Sequence, residues 1–297
     1  MANRMATHMN GAPTQGGTGQ GQGGKGRQQA AVPFVRATVE HTEPTGYDVT
    51  TLLTASGGVT LADIVVPAYG FLRAIKLHVT CTGGTGAAVF GTDAPFNVLQ
   101  NIILQEPNGA QIANFPSGYD LYLANKYGGY WHGNDPRLSP NYTMNLTGGA
   151  FSFVLRIPIE TNLRDAVGAL PNQNSGAQFR VKLNLANGAS AAQGLYTTQP
   201  ATTFGSVRIR AFAEEWDQPE DNTDGRPNQT VPPALNTTQY WSRQDFPINV
   251  GQNQIRLTRV GNLLRNLLFV FRSAAGARTT TEDAIWPDPA TLYYDTR

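Results

Sequence analysis

Residues 71–80 read Phe-Leu-Arg-Ala-Ile-Lys-Leu-His-Val-Thr. Phe71, Arg73, Ile75, Leu77 and Val79 fall on one side of a two-residue repeat, and Leu72, Ala74 and Lys76 fall on the other. Thr80 and the Gly83-Gly84 pair close the run. Successive side chains of an extended backbone point to opposite faces, so this repeat specifies a strand. Its β-branched residues suit a pleated, half-buried surface.

Strand signals of the same kind lie on both sides. Phe34 to Val39 alternates with period two, and Tyr47 to Thr54 reads as a short strand. Val59 to Val66 follows the Gly57-Gly58 turn and stops at Pro67. Residues 95–101 suggest a single helical turn, because proline suits a first turn. Ile102 to Gln105 and Gln111 to Phe115 flank Pro107-Asn108-Gly109, a strong turn signal. Ser117 stands where a helix cap is needed, with a helix expected to about Lys126. After a Gly-, Asn- and Pro-rich loop at 128–141, strands are expected at 143–147, 151–160, 178–186 and 204–216.

Residues 217–237 are rich in acids and prolines and carry no sustained period, which marks a linker. Ile255 to Leu257 and Leu267 to Phe271 look like strands of a second β segment, 238–297. Many antiparallel strands with long loops indicate an all-β chain. The pattern suggests a jelly roll over 34–216, followed by a short or incomplete second roll; sandwich and barrel arrangements are the alternatives.

Residues 1–33 are different in kind. No acid precedes Glu40, and residues 10–30 are dominated by Gly, Gln and Thr. Such a segment has high backbone entropy and little to bury, so a flexible arm is expected. Arg4, Lys25, Arg27 and Arg36 give it a sparse positive charge suited to contacts with neighbours or an anionic surface.

Composition narrows the role. Hydrophobic residues make up 40% of the 297, enough for a core. Charged residues make up only 14%, against about a quarter in typical soluble domains. A surface so poor in charge fits one largely covered by neighbours. Net charge is +1, which excludes nucleic-acid binding by bulk electrostatics. Cys81 is the sole cysteine, so no internal disulfide forms. No apolar run reaches the roughly 18 residues of a membrane span, and the N-terminus lacks an apolar signal core, so folding in the cytoplasm is expected.

Catalytic and metal motifs are approached but not completed. Gly19 to Gly26 resembles a phosphate loop, yet Gly26 stands where Ser or Thr must hold magnesium. Glu220 to Gly225 resembles the start of a calcium loop, but Val231 occupies the twelfth position, which needs a bidentate Glu. His8, His41, His78 and His132 lack ligand spacing. His78 and Cys81, three apart on one strand, face opposite ways. Glu106, Asp120 and Asp135 are the carboxylates a glycosidase would need, and nothing in the sequence places them together. No catalytic residue, metal site or cofactor is therefore expected. Tyr130 and Trp131 suit either a sugar-stacking platform or a buried interface anchor.

Taken in order, several segments resemble a tectivirus-type double jelly-roll major capsid protein. They are Tyr47-Asp48-Val49, Gly70-Phe71-Leu72, Asn97-Val98-Leu99-Gln100 with the Pro107-Asn108-Gly109 turn, and Ser117-Gly118-Tyr119. Ile157-Pro158-Ile159, Leu163 to Leu170, Gln178 to Leu185 and Asn262-Leu263-Leu264-Arg265 continue the series, which spans about 34–272. Residues 238–297 are short for a full second roll, so that roll is expected to be minimal or incomplete.

The resemblance implies a structural, non-enzymatic subunit of an icosahedral bacteriophage virion with an internal membrane, assembled in the host cytoplasm. Three subunits would form a pseudo-hexagonal homotrimer that packs against neighbouring capsomers and minor capsid proteins. The arm would meet internal membrane lipid or a neighbour, and no sequence-specific nucleic acid binding is implied. A carbohydrate-binding or hydrolytic jelly roll, and a minor capsid or spike component, are the alternatives.

Overall fold

The computed structural model describes residues 33–131, 133, 135–201, 203–220, 231–235, 237–249, 251, 253–256, 263–273, 276 and 278. The expectations for Arg4, Lys25 and Arg27 lie outside these residues, as do those for His8 and His132.

Among the described residues thirteen strands follow in chain order. They are β1 (Glu40–Leu52), β2 (Val59–Thr60), β3 (Ile64–Val65), β4 (Phe71–Cys81), β5 (Val89–Phe90), β6 (Leu99–Gln105) and β7 (Gln111–Ser117), then β8 (Thr143–Met144), β9 (Phe151–Pro158), β10 (Leu170–Pro171), β11 (Arg180–Leu185), β12 (Tyr196–Thr198) and β13 (Ser206–Trp216). Helices are few and short: α1 (Phe34–Ala37) and α2 (Gly118–Tyr127), with 3₁₀ turns at Phe96–Val98 and Pro136–Leu138.

One sheet runs β1-β13-β4-β9-β8, and the other runs β2-β11-β6-β7 with β3 also on β11. Counting β2 and β3 as one broken strand and leaving out the short additions leaves eight strand positions. The first sheet then has the order first, eighth, third, sixth; the second has second, seventh, fourth, fifth. First pairs with eighth, second with seventh, third with sixth and fourth with fifth, always antiparallel. This is one long hairpin wrapped around a core, which is the jelly roll. The all-β jelly-roll reading is what the structure shows.

The two inner faces form the core. Ile75, Leu77 and Val79 of β4 meet Phe153, Leu155 and Ile157 of β9 in their own sheet and face Ile102, Leu104, Val181 and Leu183 of the other; all are essentially inaccessible. Burying each such side chain contributes about 1.5–3 kcal/mol. On β4, Lys76, His78 and Thr80 point outward and are half-exposed, as the two-residue repeat requires. Between β6 and β7 the expected turn forms: Glu106 N–H donates to Ala110 O at 2.8 Å and Gly109 N–H to Glu106 O at 2.8 Å. Gly109 sits at φ +88°, a region that side-chain-bearing residues rarely adopt.

Helix α2 begins where the sequence places it. Ser117 Oγ accepts from Tyr119 N–H at 3.2 Å, and Asp120 Oδ2 accepts from Ser117 N–H at 3.2 Å. This reciprocal cap satisfies two amides that the first turn leaves open.

Two local expectations need correction. Phe34 to Ala37 is a helical turn, and the strand begins at Glu40. Tertiary packing overrides the alternation: the Phe34 ring meets Phe71 edge-on at 5.3 Å and Trp216 at 6.3 Å. Ile255, Arg256 and residues 267–271 form no strand. Among the described residues from 238 onward, backbone pairing is limited to isolated bridges, Trp241 with Ala113 and Arg272 with Arg278. Among the described residues no second stretch pairs with them, so their alternation finds no ladder there.

Candidate assembly surface

Charge in this chain is concentrated where β4, β9 and β13 end together. Arg73 donates to Glu160 Oε1 through Nε at 3.0 Å and Nη2 at 2.6 Å, and its Nη1 pairs with Glu40 at 2.5 Å. Its guanidinium also lies 4.1 Å from the Trp216 ring centroid. The Trp216 indole donates to Glu160 Oε2 at 3.1 Å. Arg156 reaches Glu160 at 3.4 Å and pairs with Glu214, which also pairs with Lys76. Burial opposes the Glu214 charge, yet Arg156 and Lys76 hold its carboxyl below the usual range. Three cations and three carboxylates balance. A buried network with this balance holds strand ends in register; removing one member strands the others.

Beside it is a carboxyl with no such partner. Glu215 is 1% exposed and, among the described residues, accepts a hydrogen bond from Asn172 Nδ2 at 2.8 Å. Burial first, then the nearby Glu43 and Asp217 charges, push it up to about 7. His41 lies opposite Glu215 in the β1–β13 ladder and contacts Glu43 at 2.6 Å, which raises the imidazole above its ordinary value.

The candidate catalytic groups are kept apart and individually occupied. Glu106 accepts from Asn108 in the β6–β7 turn at 3.2 Å. Asp120 caps α2 and pairs with Arg243 at 3.4 Å. Asp135 receives Arg137 at 2.8 Å and Tyr122 Oη at 3.1 Å. Cys81 is buried, which pushes its thiol up and away from nucleophilic use, and His78 on the other face contacts Arg210 at 2.7 Å. Among the described residues no group of three or more His, Cys, Asp or Glu could hold a metal ion, and no helix is long and apolar enough to cross a membrane.

The two aromatics singled out in the sequence part company. Tyr130 is 2% exposed, with its ring 6.3 Å from Trp241, and its hydroxyl donates to Gln239 Oε1 at 2.5 Å while accepting from Arg265. Burial pushes its hydroxyl up. Tyr130 thus anchors a later part of the same chain, while Trp131 is only half-buried. Arg36 is exposed on α1.

That later part lies along α2 as a strap. Gln239 Nε2 donates to Glu160 O at 2.8 Å, and Trp241 packs on Phe115 at 6.0 Å. Arg243 pairs with Asp120, Arg265 donates to Gly128 O at 3.2 Å, and Arg272 pairs with Asp93 at 2.6 Å. Its outer side is uncovered: Leu263 is fully exposed, Leu264 is 63% exposed, and Phe246, Ile248 and Leu268 are also open. Elsewhere Leu52, Leu138 and Leu146 face solvent. The edge strand β1 has no fully buried residue along its length.

No family model matches the chain, and no curated protein matches it. Several solved structures are similar to it in part, among them the following two. A crystal structure of the STIV MCP has 14% identity and a TM-score of 0.36, covering 61% of this chain and 49% of that one. A quasi-atomic model of the PBCV-1 virus capsid has 16% identity and a TM-score of 0.30, covering 61% of this chain and 43% of that one. The chain therefore spans less than half the length of each. The assignment of the fold rests on the strand order alone.

Proposed function

We propose that this chain is a structural subunit of a viral shell, a tectivirus-like major capsid protein that works by adhesion to its own copies. The observation that carries the reading is the uncovered apolar surface. Phe246, Ile248, Leu263, Leu264 and Leu268 are all open on one segment of a chain with only 14% charged residues. Apolar exposure concentrated in this way supports an interaction face. Closed symmetry would repeat one such contact around a ring, and a homotrimer gives the pseudo-hexagonal capsomer.

The finer parts belong to the same proposal. Residues 1–33 act as an arm, 34–216 as the roll and 217–237 as a linker, with 238–297 contributing to a second roll. Because the described part of 238–297 forms no strand in one copy, this arrangement requires ladders to form on assembly. Arg4, Lys25, Arg27 and Arg36 meet internal membrane lipid or a neighbouring capsomer, and Trp131 lies at the capsomer interface. Assembly takes place in the cytoplasm of a bacterial host, with minor capsid proteins at the joints. The role needs no catalysis and no cofactor. Negative-stain microscopy of concentrated protein tests this: ring-shaped capsomers or closed shells support it, and isolated particles of one-roll size at every concentration refute it.

A glycan-binding reading has one observation in its favour. A cavity of about 300 Å³ is lined by Asn97, Gln100, Asn187 and Gln193 amides. Its lining has no aromatic ring for a sugar to stack on. A glycan array with no binder removes this reading.

A further inference from the structure

The strap along α2 leaves the roll and returns to it at the same place. Trp216, the last residue of β13, donates to Glu160 Oε2, and Gln239 donates to Glu160 O at 2.8 Å. Asp217 N–H also donates to Val39 O at 3.0 Å, Gly168 N–H donates to Pro233 O at 3.1 Å, and Leu235 packs beside Trp216. Residues 218–232 separate these ties and, fully extended, span about 50 Å. A roll of this size is about 40 Å across. The connection is thus far longer than one copy needs.

The strap also stands apart energetically. Among the described residues the main core cluster lies within residues 53–213, and Trp241, half-buried, is the strap residue packed against it. Among the described residues the strap shares no ladder with the roll beyond the Ala113–Trp241 bridge. Its attachment is electrostatic and aromatic: Arg243 on Asp120, Arg272 and Arg278 on Asp93, Arg265 on Tyr130, and Trp241 between Phe115 and Tyr130. The seat is acidic and aromatic, and the strap supplies the arginines. Without the strap, Tyr130 and Asp93 would lose the partners described above and Asp120 would keep only the Ser117 amide, so the seat needs an occupant.

We propose that the seat on the α2 flank accepts the strap of a second copy, so that shell subunits are tied by exchanged straps. This rests on the shell reading and names how copies are joined. Exchange replaces each contact by an identical one from a neighbour, so it carries almost no enthalpic cost, and the surplus linker supplies the reach. It also presents Leu263, Leu264 and Phe246 to the junction between copies, where they gain cover.

The test uses full-length chains carrying different tags. Copies with Asp120→Cys and copies with Arg243→Cys are co-expressed, isolated through both tags and treated with a short bismaleimide; buried Cys81 stays out of reach. A second pair, Asp93→Cys with Arg272→Cys, repeats the test at the other end of the strap. Exchange predicts a covalent dimer joining the two tags in both pairs, absent when either variant is present alone. Cross-links only within doubly substituted chains, in an oligomer of established mass, overturn exchange and leave the shell reading intact. Doubly substituted chains that never close overturn the seat and the proposal with it. A monomer throughout overturns both readings.

Discussion

Replacing Glu215 by Gln is expected to stabilise the protein above neutral pH and leave it unchanged in acid. The carboxyl is buried, accepts a hydrogen bond from the neutral Asn172, and lies near Glu43, Asp217 and His41. Its folded value is about 7, against an ordinary 4.5 in the unfolded chain. Below pH 4.5 both states hold the proton and the group costs nothing. Between 4.5 and 7 the unfolded chain releases the proton while the folded one keeps it, so stability falls as pH rises. Above 7 both are ionised and the full cost is present. A gap of that size corresponds to roughly 2–3 kcal/mol after allowing for solvent and the neighbouring imidazole. Gln keeps an oxygen to accept from Asn172 and cannot ionise. Urea unfolding of both proteins at pH 4 and pH 8 measures the effect, since titrations common to both cancel in the difference. The expected result is equal midpoints at pH 4 and a clear advantage for the variant at pH 8. A difference that does not change with pH would refute the reasoning.

Other perturbations follow from the same contacts. Glu160→Ala leaves buried Arg73 with only the carboxylate of exposed Glu40 and buried Arg156 with only that of Glu214, and should cost about 3 kcal/mol by chemical denaturation, far more than removing an exposed charge. Ser117→Ala removes the α2 cap and should cost about 1 kcal/mol, read by thermal melting, with Ser117→Gly losing less. Trp241→Ala should speed proteolysis between residues 217 and 278 while leaving a stable roll fragment, observed by mass spectrometry of timed digests. Ile209→Ala, in the middle of β13, should cost about 2–5 kcal/mol, in contrast to outward-facing substitutions on the same strand.

Most of the roll was legible because strand alternation and turn chemistry are local. The 71–80 repeat put Ile75, Leu77 and Val79 inside; Pro107-Asn108-Gly109 gave the β6–β7 hairpin, and Ser117 gave the start of α2. Strand order was legible only through a resemblance, because nothing local says that β1 pairs with β13. Phe34 misled, since its conformation is set by Phe71 and Trp216, far away in sequence. The Arg73–Glu160–Arg156–Glu214 network was invisible for the same reason: Arg73 sits on the apolar side of its repeat and reads as an anomaly until Glu160 is placed beside it. Tyr130 was read as a sugar platform or an interface anchor, whereas its partners Gln239, Trp241 and Arg265 come from a later segment of its own chain whose alternation suggested strands. Arginines spaced along 243–278 opposite acids on α2 and at Asp93 were the available signal.

The central claim is that this surface is built to be covered by other copies of itself. Light scattering on a sizing column, run over a wide concentration range, measures that most directly. The account predicts a mass that is a multiple of 32.0 kDa, with three copies as the first stable species and larger assemblies as concentration rises. A well-folded species that remains at 32.0 kDa at every concentration would contradict it.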